Sequence, residues 1–139
     1  MDAAARTLVF HAAVVLIIGL MCGMPYGKAI NRKAPEHIIQ AWRLAHQALP
    51  IGAILMFAIA AVLTPFAVTA TLKWVIAISL IGSSYAFCIA LPLAAVVGHR
   101  GLSARGPLVA KVVYFGNTLA AVLSMVAAIV LLYAGYVSL

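Results

Sequence analysis

Apolar residues fill four long stretches of this chain, and the polar residues gather between them. The first stretch runs from about Thr7 to Tyr26 and carries no charge. The second runs from about Ile38 to Pro65, with Arg43 and His46 near its start. The third runs from about Trp74 to Val97, and the fourth from about Leu108 to Val137, with Lys111 near its start. A membrane-crossing helix needs about 20 mostly apolar residues at 1.5 Å each. All four stretches are long enough. In lipid the backbone must satisfy its own hydrogen bonds, so uninterrupted runs of this length predict helices. The ten-residue alternation of a membrane barrel is absent. The expected fold is therefore an all-α, integral membrane four-helix bundle forming one domain over residues 1–139, with helices at about 7–26, 38–65, 74–97 and 108–137.

Composition agrees: 67% of the residues are hydrophobic, 8% are charged, and the mean hydropathy is +1.20. A soluble domain this small needs far more polar surface. Arg6 followed by an apolar run imitates a cleaved signal. The run is long enough to span, and it is read as a retained helix.

The net charge of +7 does not predict a nucleic-acid partner, because the basic residues sit at membrane borders. There they snorkel or meet anionic headgroups. Arg6 and Lys73 fall on one side. Lys28, Arg32, Lys33, Arg100 and Arg105 fall on the other, with Arg43 and Lys111 just inside the helices. The positive-inside rule puts the richer side in the cytoplasm and both termini outside.

The two carboxylates, Asp2 and Glu36, both lie away from the depth of a span. That excludes paired-carboxylate catalysis and argues against ion coupling through a buried acid. No HExxH or phosphate-binding loop is present, and a serine triad lacks its acid. Cys22 and Cys88 lie in apolar spans without metal-ligand spacing and read as small buried hydrophobes. Gly19, Gly23 and Gly27 form overlapping small-xxx-small patterns that allow close helix contact, inside the subunit or between subunits. A bundle this small has little interior for a ligand, so a homo-oligomer with its cavity near a subunit boundary is expected.

Histidine is the remaining chemistry. His46 lies about two turns into the second segment, with Trp42 and Arg43 on its helical face. Pro50 lacks the N–H that would bond the His46 carbonyl, which predicts a bend there. An imidazole in the membrane beside a border arginine suits haem b, with the nitrogen on iron and the cation on the propionates. The alternative is an imidazole bonded within the bundle and an arginine that snorkels. Among the other polar groups in the spans, Tyr85 and Asn117 are the hardest to hide and are the pocket candidates. Pro92 predicts a kink in the third helix, and Phe87 is placed beside a cavity.

The run Trp42-Arg43-Leu44-Ala45-His46 leads into a long helix ending Val62-Leu63-Thr64-Pro65 and resembles the second helix of styrene oxide isomerase. His11, the stretch from Gly82 to Tyr85-Ala86, and Gly98-His99-Arg100-Gly101-Leu102 follow the same order of features. The resemblance covers about residues 7–135. Hydroxylaminobenzene mutase has a related layout. The resemblance implies a homotrimeric membrane enzyme of a bacterial inner membrane. It implies non-covalent haem b held at the subunit interface by one histidine, here His46, with Arg43 and Trp42 beside it. The implied reaction is Lewis-acid opening of a small apolar epoxide, then a 1,2-hydride shift to an aldehyde.

The departures fall in the pocket. Gly52 stands at a family asparagine, Phe87 at a second, and Leu91 near the family's pocket tyrosine. Arg43 stands one residue earlier relative to the histidine than its counterpart. The scaffold and ligand are kept, while the groups that orient substrate differ. Gly52, Phe87 and Leu91 are thus expected to line the pocket, with Tyr85 and Asn117 as the candidate catalytic side chains. The rivals are a hydroxylamine rearrangement, a haem protein that carries electrons with His11 as second ligand, and a haem-free structural or transport subunit.

Overall fold

The structure is a computed structural model describing residues 1–139, and its regular elements are all helices, with no strand. Five helices follow one another: α1 (Ala3–Met21), α2 (Gly23–Asn31), α3 (Glu36–Leu63), α4 (Ala70–Val97) and α5 (Leu108–Tyr136). α1 and α2 together form the first of four segments long and apolar enough to cross a membrane; α3, α4 and α5 are the others. The chain is an integral membrane protein.

The first segment is longer than the apolar run suggests, and it is broken at Cys22. Pro25 sits just past the break and has no N–H to give the Met21 carbonyl. The segment starts early because Asp2 caps it, accepting the Ala5 backbone N–H at 2.9 Å. Thr69 caps α4 through the Leu72 N–H and brings its start forward from the expected Trp74 to Ala70. Such caps satisfy helix ends that apolar periodicity does not register. α4 stops at Gly98, whose φ of 70° is the left-handed conformation usual for a closing glycine. Both α3 and α4 stay helical through their internal prolines, Pro50 and Pro92.

α1, α3 and α4 pack against one another, α2 packs on α3, and α5 packs closely on α4 alone. The contact faces are rich in alanine: Ala45, Ala53, Ala60, Ala77, Ala90 and Ala120 are all buried. Lipid offers no hydrophobic drive between helices, so close backbone approach through small residues takes its place. The bulky residues Phe10, Ile54, Ile89, Phe115 and Leu132 face outward, as a lipid solvent allows. Ser83 ties α5 to α4. Its hydroxyl donates to the Ala120 carbonyl at 2.8 Å and lies 2.6 Å from the Ser124 hydroxyl. Because α5 touches α4 and not α3, a cleft opens between α3 and α5, floored by α4.

Candidate functional site

His46 faces the break between α1 and α2. Its Nδ1 lies 3.0 Å from the Gly19 carbonyl oxygen. A carbonyl only accepts, so Nδ1 donates, and in the neutral ring this tautomer leaves the lone pair on Nε2. Nε2 makes no hydrogen bond within the chain. The ring lies on Gly23, where an added Cβ would sit 2.9 Å from its Cε1. At Gly19 an added Cβ would sit 2.5 Å from Pro50 Cδ. Two of the three patterned glycines therefore make an internal contact with α3 and seat the histidine. A Cβ at Gly27 would meet nothing.

Tyr26 completes this cluster. Arg43 donates from Nε to the Tyr26 hydroxyl at 3.0 Å, and its guanidinium lies 5.9 Å from the centre of the Tyr26 ring. The Tyr26 and His46 rings are 6.2 Å apart. Sequence reasoning did not assign Tyr26 a role. Its place one residue after Pro25, beyond the break, was the available signal. Trp42 is half-buried and packs against the apolar core.

A second pair lies between α1 and α4. His11 Nδ1 and the Tyr85 hydroxyl are 2.8 Å apart, and their rings meet edge to face. Tyr85 thus engages the first helix, and neither cavity of the cleft is lined by it.

The cleft between α3 and α5 contains two cavities. The larger, of about 790 Å³, is lined by Leu44, Phe87, Leu91 and Asn117, with His37, Gln40, His99 and Arg100 around it. The smaller, of about 520 Å³, is more apolar and includes Gly52, Leu55, Met56 and Ser124. Leu44, Phe87 and Leu91 line both. The structure thus brings Gly52, Phe87 and Leu91 together, with Asn117 in the neighbouring chamber. The Asn117 Oδ1 is enclosed and has no hydrogen-bond partner.

These pocket residues do not share a face with His46. On α3, Leu44 and Ala48 line the cleft, and each is two residues from His46. At 3.6 residues per turn that is about 200° around the helix. The histidine and the cleft therefore lie on opposite sides of α3. No group of three or more His, Cys, Asp or Glu side chains is arranged to hold a bare metal ion. His46 can supply a single nitrogen, which matches a group that brings its other ligands with it.

No curated protein matches the chain. The family model described as styrene oxide isomerase matches residues 4–136. That span runs from the capped start of α1 to the last residue of α5 and takes in His46, Arg43 and the whole cleft. The chain belongs to the styrene oxide isomerase family, whose membership points to isomerase-type activity.

Proposed function

We propose that this protein is a haem b-dependent membrane isomerase that converts a small apolar epoxide into a carbonyl compound. The observation that carries the reading is the bond from His46 Nδ1 to the Gly19 carbonyl. A metal-bound histidine needs its free nitrogen unprotonated and its ring held by a bond at the other nitrogen. His46 meets both requirements. When bound, ferric haem would supply a Lewis acid able to polarise the epoxide oxygen.

The chain's own residues do the rest. His46 would hold the group through Nε2. Arg43, one turn earlier and steadied by Tyr26, would pair with its propionates. Phe87, Leu91 and Gly52 give an apolar wall that keeps water from a developing cation. Asn117 would offer a carboxamide in the cleft for orienting an oxygen. The family asparagines are replaced by Gly52 and Phe87, so the substrate of this member differs from one oriented by those amides.

Because His46 and the cleft lie on opposite sides of α3, the reading calls for an assembly in which the His46 face of one copy meets the cleft of the next. Such a head-to-tail contact closes into a ring, and a trimer is the form the family resemblance favours.

The test is the visible spectrum of detergent-purified protein, oxidised and dithionite-reduced. A Soret band that shifts on reduction is expected, and it should be lost in His46→Ala. Epoxide conversion to aldehyde would then establish the reaction. An absent Soret band after haem supplementation, or a full haem complement in the variant, would overturn the assignment.

A further inference from the structure

In a continuous helix the Gly19 carbonyl would accept from the N–H of Gly23. Here α1 ends at Met21 and α2 begins at Gly23. The Cys22 N–H still bonds the Ile18 carbonyl and the Tyr26 N–H bonds the Cys22 carbonyl, each at 3.2 Å. The helix is interrupted between those two rungs. Pro25 lies inside the interruption. It gives no N–H to the Met21 carbonyl, and its ring crowds that carbonyl, so the ladder cannot close across it. The Gly19 carbonyl is left without its helical partner and accepts from His46 Nδ1 at 3.0 Å instead. Leu49 and Pro50 pack on Gly19 so closely that a Cβ there would stand 2.8 and 2.5 Å from them. This approach of α3 brings the ring within reach. No carboxylate competes for it: Asp2 pairs with Lys73, and Glu36 is bonded to Gln40, about 15 Å along α3 from His46.

We propose that Pro25 is a positioning residue for His46. By holding the Gly19 carbonyl out of the helical ladder, it fixes the ring proton on Nδ1 and commits Nε2 to an incoming metal group. The identity of that group rests on the haem reading. A neutral ring without such an acceptor is free to carry its proton on either nitrogen, and a proton on Nε2 blocks ligation there. A bond from the Nδ1 hydrogen to a carbonyl also raises the basicity of the ring as a ligand. A stronger axial donor favours ferric over ferrous iron, and ferric is the state the isomerase reading requires. The interruption in the first membrane segment thus sets the electronic character of a side chain on the second.

The test follows the ring proton in Pro25→Gly and Pro25→Ala. Both restore the missing N–H, and alanine favours a continuous helix more than glycine does. The full chain is made with isotope-labelled histidine in a haem-deficient host, and nitrogen NMR in detergent reads the tautomer. The His46 signals are those lost in His46→Gln. Wild type should show the proton on Nδ1. The form protonated on Nε2 should enter in Pro25→Gly and grow in Pro25→Ala. Pro92→Ala, which changes the internal proline of α4, should leave the ring as it is. In haem-loaded protein, the ferric-to-ferrous ratio at a fixed electrode potential should fall about fivefold in Pro25→Ala. A wild-type ring protonated on Nε2 overturns the proposal, as does one tautomer common to all three residues at position 25, an unchanged ratio in the loaded protein, or an equal shift in Pro92→Ala. A tautomer that shifts as expected in protein that takes up no haem sustains the role of Pro25 and overturns the haem reading instead. Circular dichroism of each variant shows whether the bundle has folded.

Discussion

The imidazole of His46 rests directly on Gly23, with its Nδ1 3.0 Å from the carbonyl oxygen of Gly19 one turn earlier. A Cβ at Gly23 would stand 2.9 Å from the His46 Cε1, closer than real contacts permit. Gly23→Ala should therefore displace the ring and break its bond to Gly19. Overpacking of this kind costs about 1–3 kcal/mol, partly offset by alanine's higher helix propensity. Haem retention should fall severalfold, as read from the Soret absorbance per protein. Gly27→Ala, where a Cβ meets open space, is the matched control and should retain the wild-type spectrum.

Tyr85 is predicted to matter for stability more than for turnover. Its hydroxyl is engaged with His11 at 2.8 Å. Tyr85→Phe removes one interhelical hydrogen bond, a loss of about 1 kcal/mol in a membrane bundle. A lowered melting temperature with turnover within about twofold of wild type is expected; a loss of turnover at unchanged KM would instead assign the hydroxyl to the reaction.

Ser83 is the main polar tie between α4 and α5, and α5 has no other close helix neighbour. Ser83→Ala should cost about 1 kcal/mol and loosen α5 selectively. Hydrogen exchange should rise around Ala120 and Ser124 and stay unchanged in α1 and α3. Uniform exchange across the bundle would contradict a separately attached α5.

The Asp2 carboxyl is held below its ordinary value near 3.8, first by the Ala5 backbone N–H and then by Lys73, 3.2 Å away. A carboxylate whose pKa is lower in the folded state contributes stability above its unfolded pKa, and that stability is lost as pH falls through the folded value. The contribution should be complete at pH 6 and vanish well below pH 4. Because the pair lies at the border, its size should stay under about 1 kcal/mol. Thermal melts of wild type and Asp2→Asn should differ slightly at pH 7 and converge only as the pH is taken well below the ordinary carboxyl range.

Much of this was legible from the amino-acid order alone, for one physical reason. A lipid solvent demands about 20 apolar residues per crossing and an internally bonded backbone. The four runs therefore determine four helices, their approximate ends and the basic border. The Trp42–His46 run is likewise local, and it determined the family and singled out His46 as the side chain to watch. What the sequence left open depends on contacts between residues far apart in the chain. The break at Cys22 carries Tyr26 to Arg43 and turns the Gly19 carbonyl toward His46, and no periodicity within one helix encodes that meeting. Tyr85 and Asn117 looked equivalent as polar residues in apolar spans. Packing gives Tyr85 a partner on α1 and leaves Asn117 in the cleft without one. The same holds for angle: His46 and Gly52 lie six residues apart, and the tertiary packing puts one against α1 and α2 and the other in the opposite cleft. Helical spacing sets the angle between two side chains, and only the positions of the neighbouring helices decide what each of them faces.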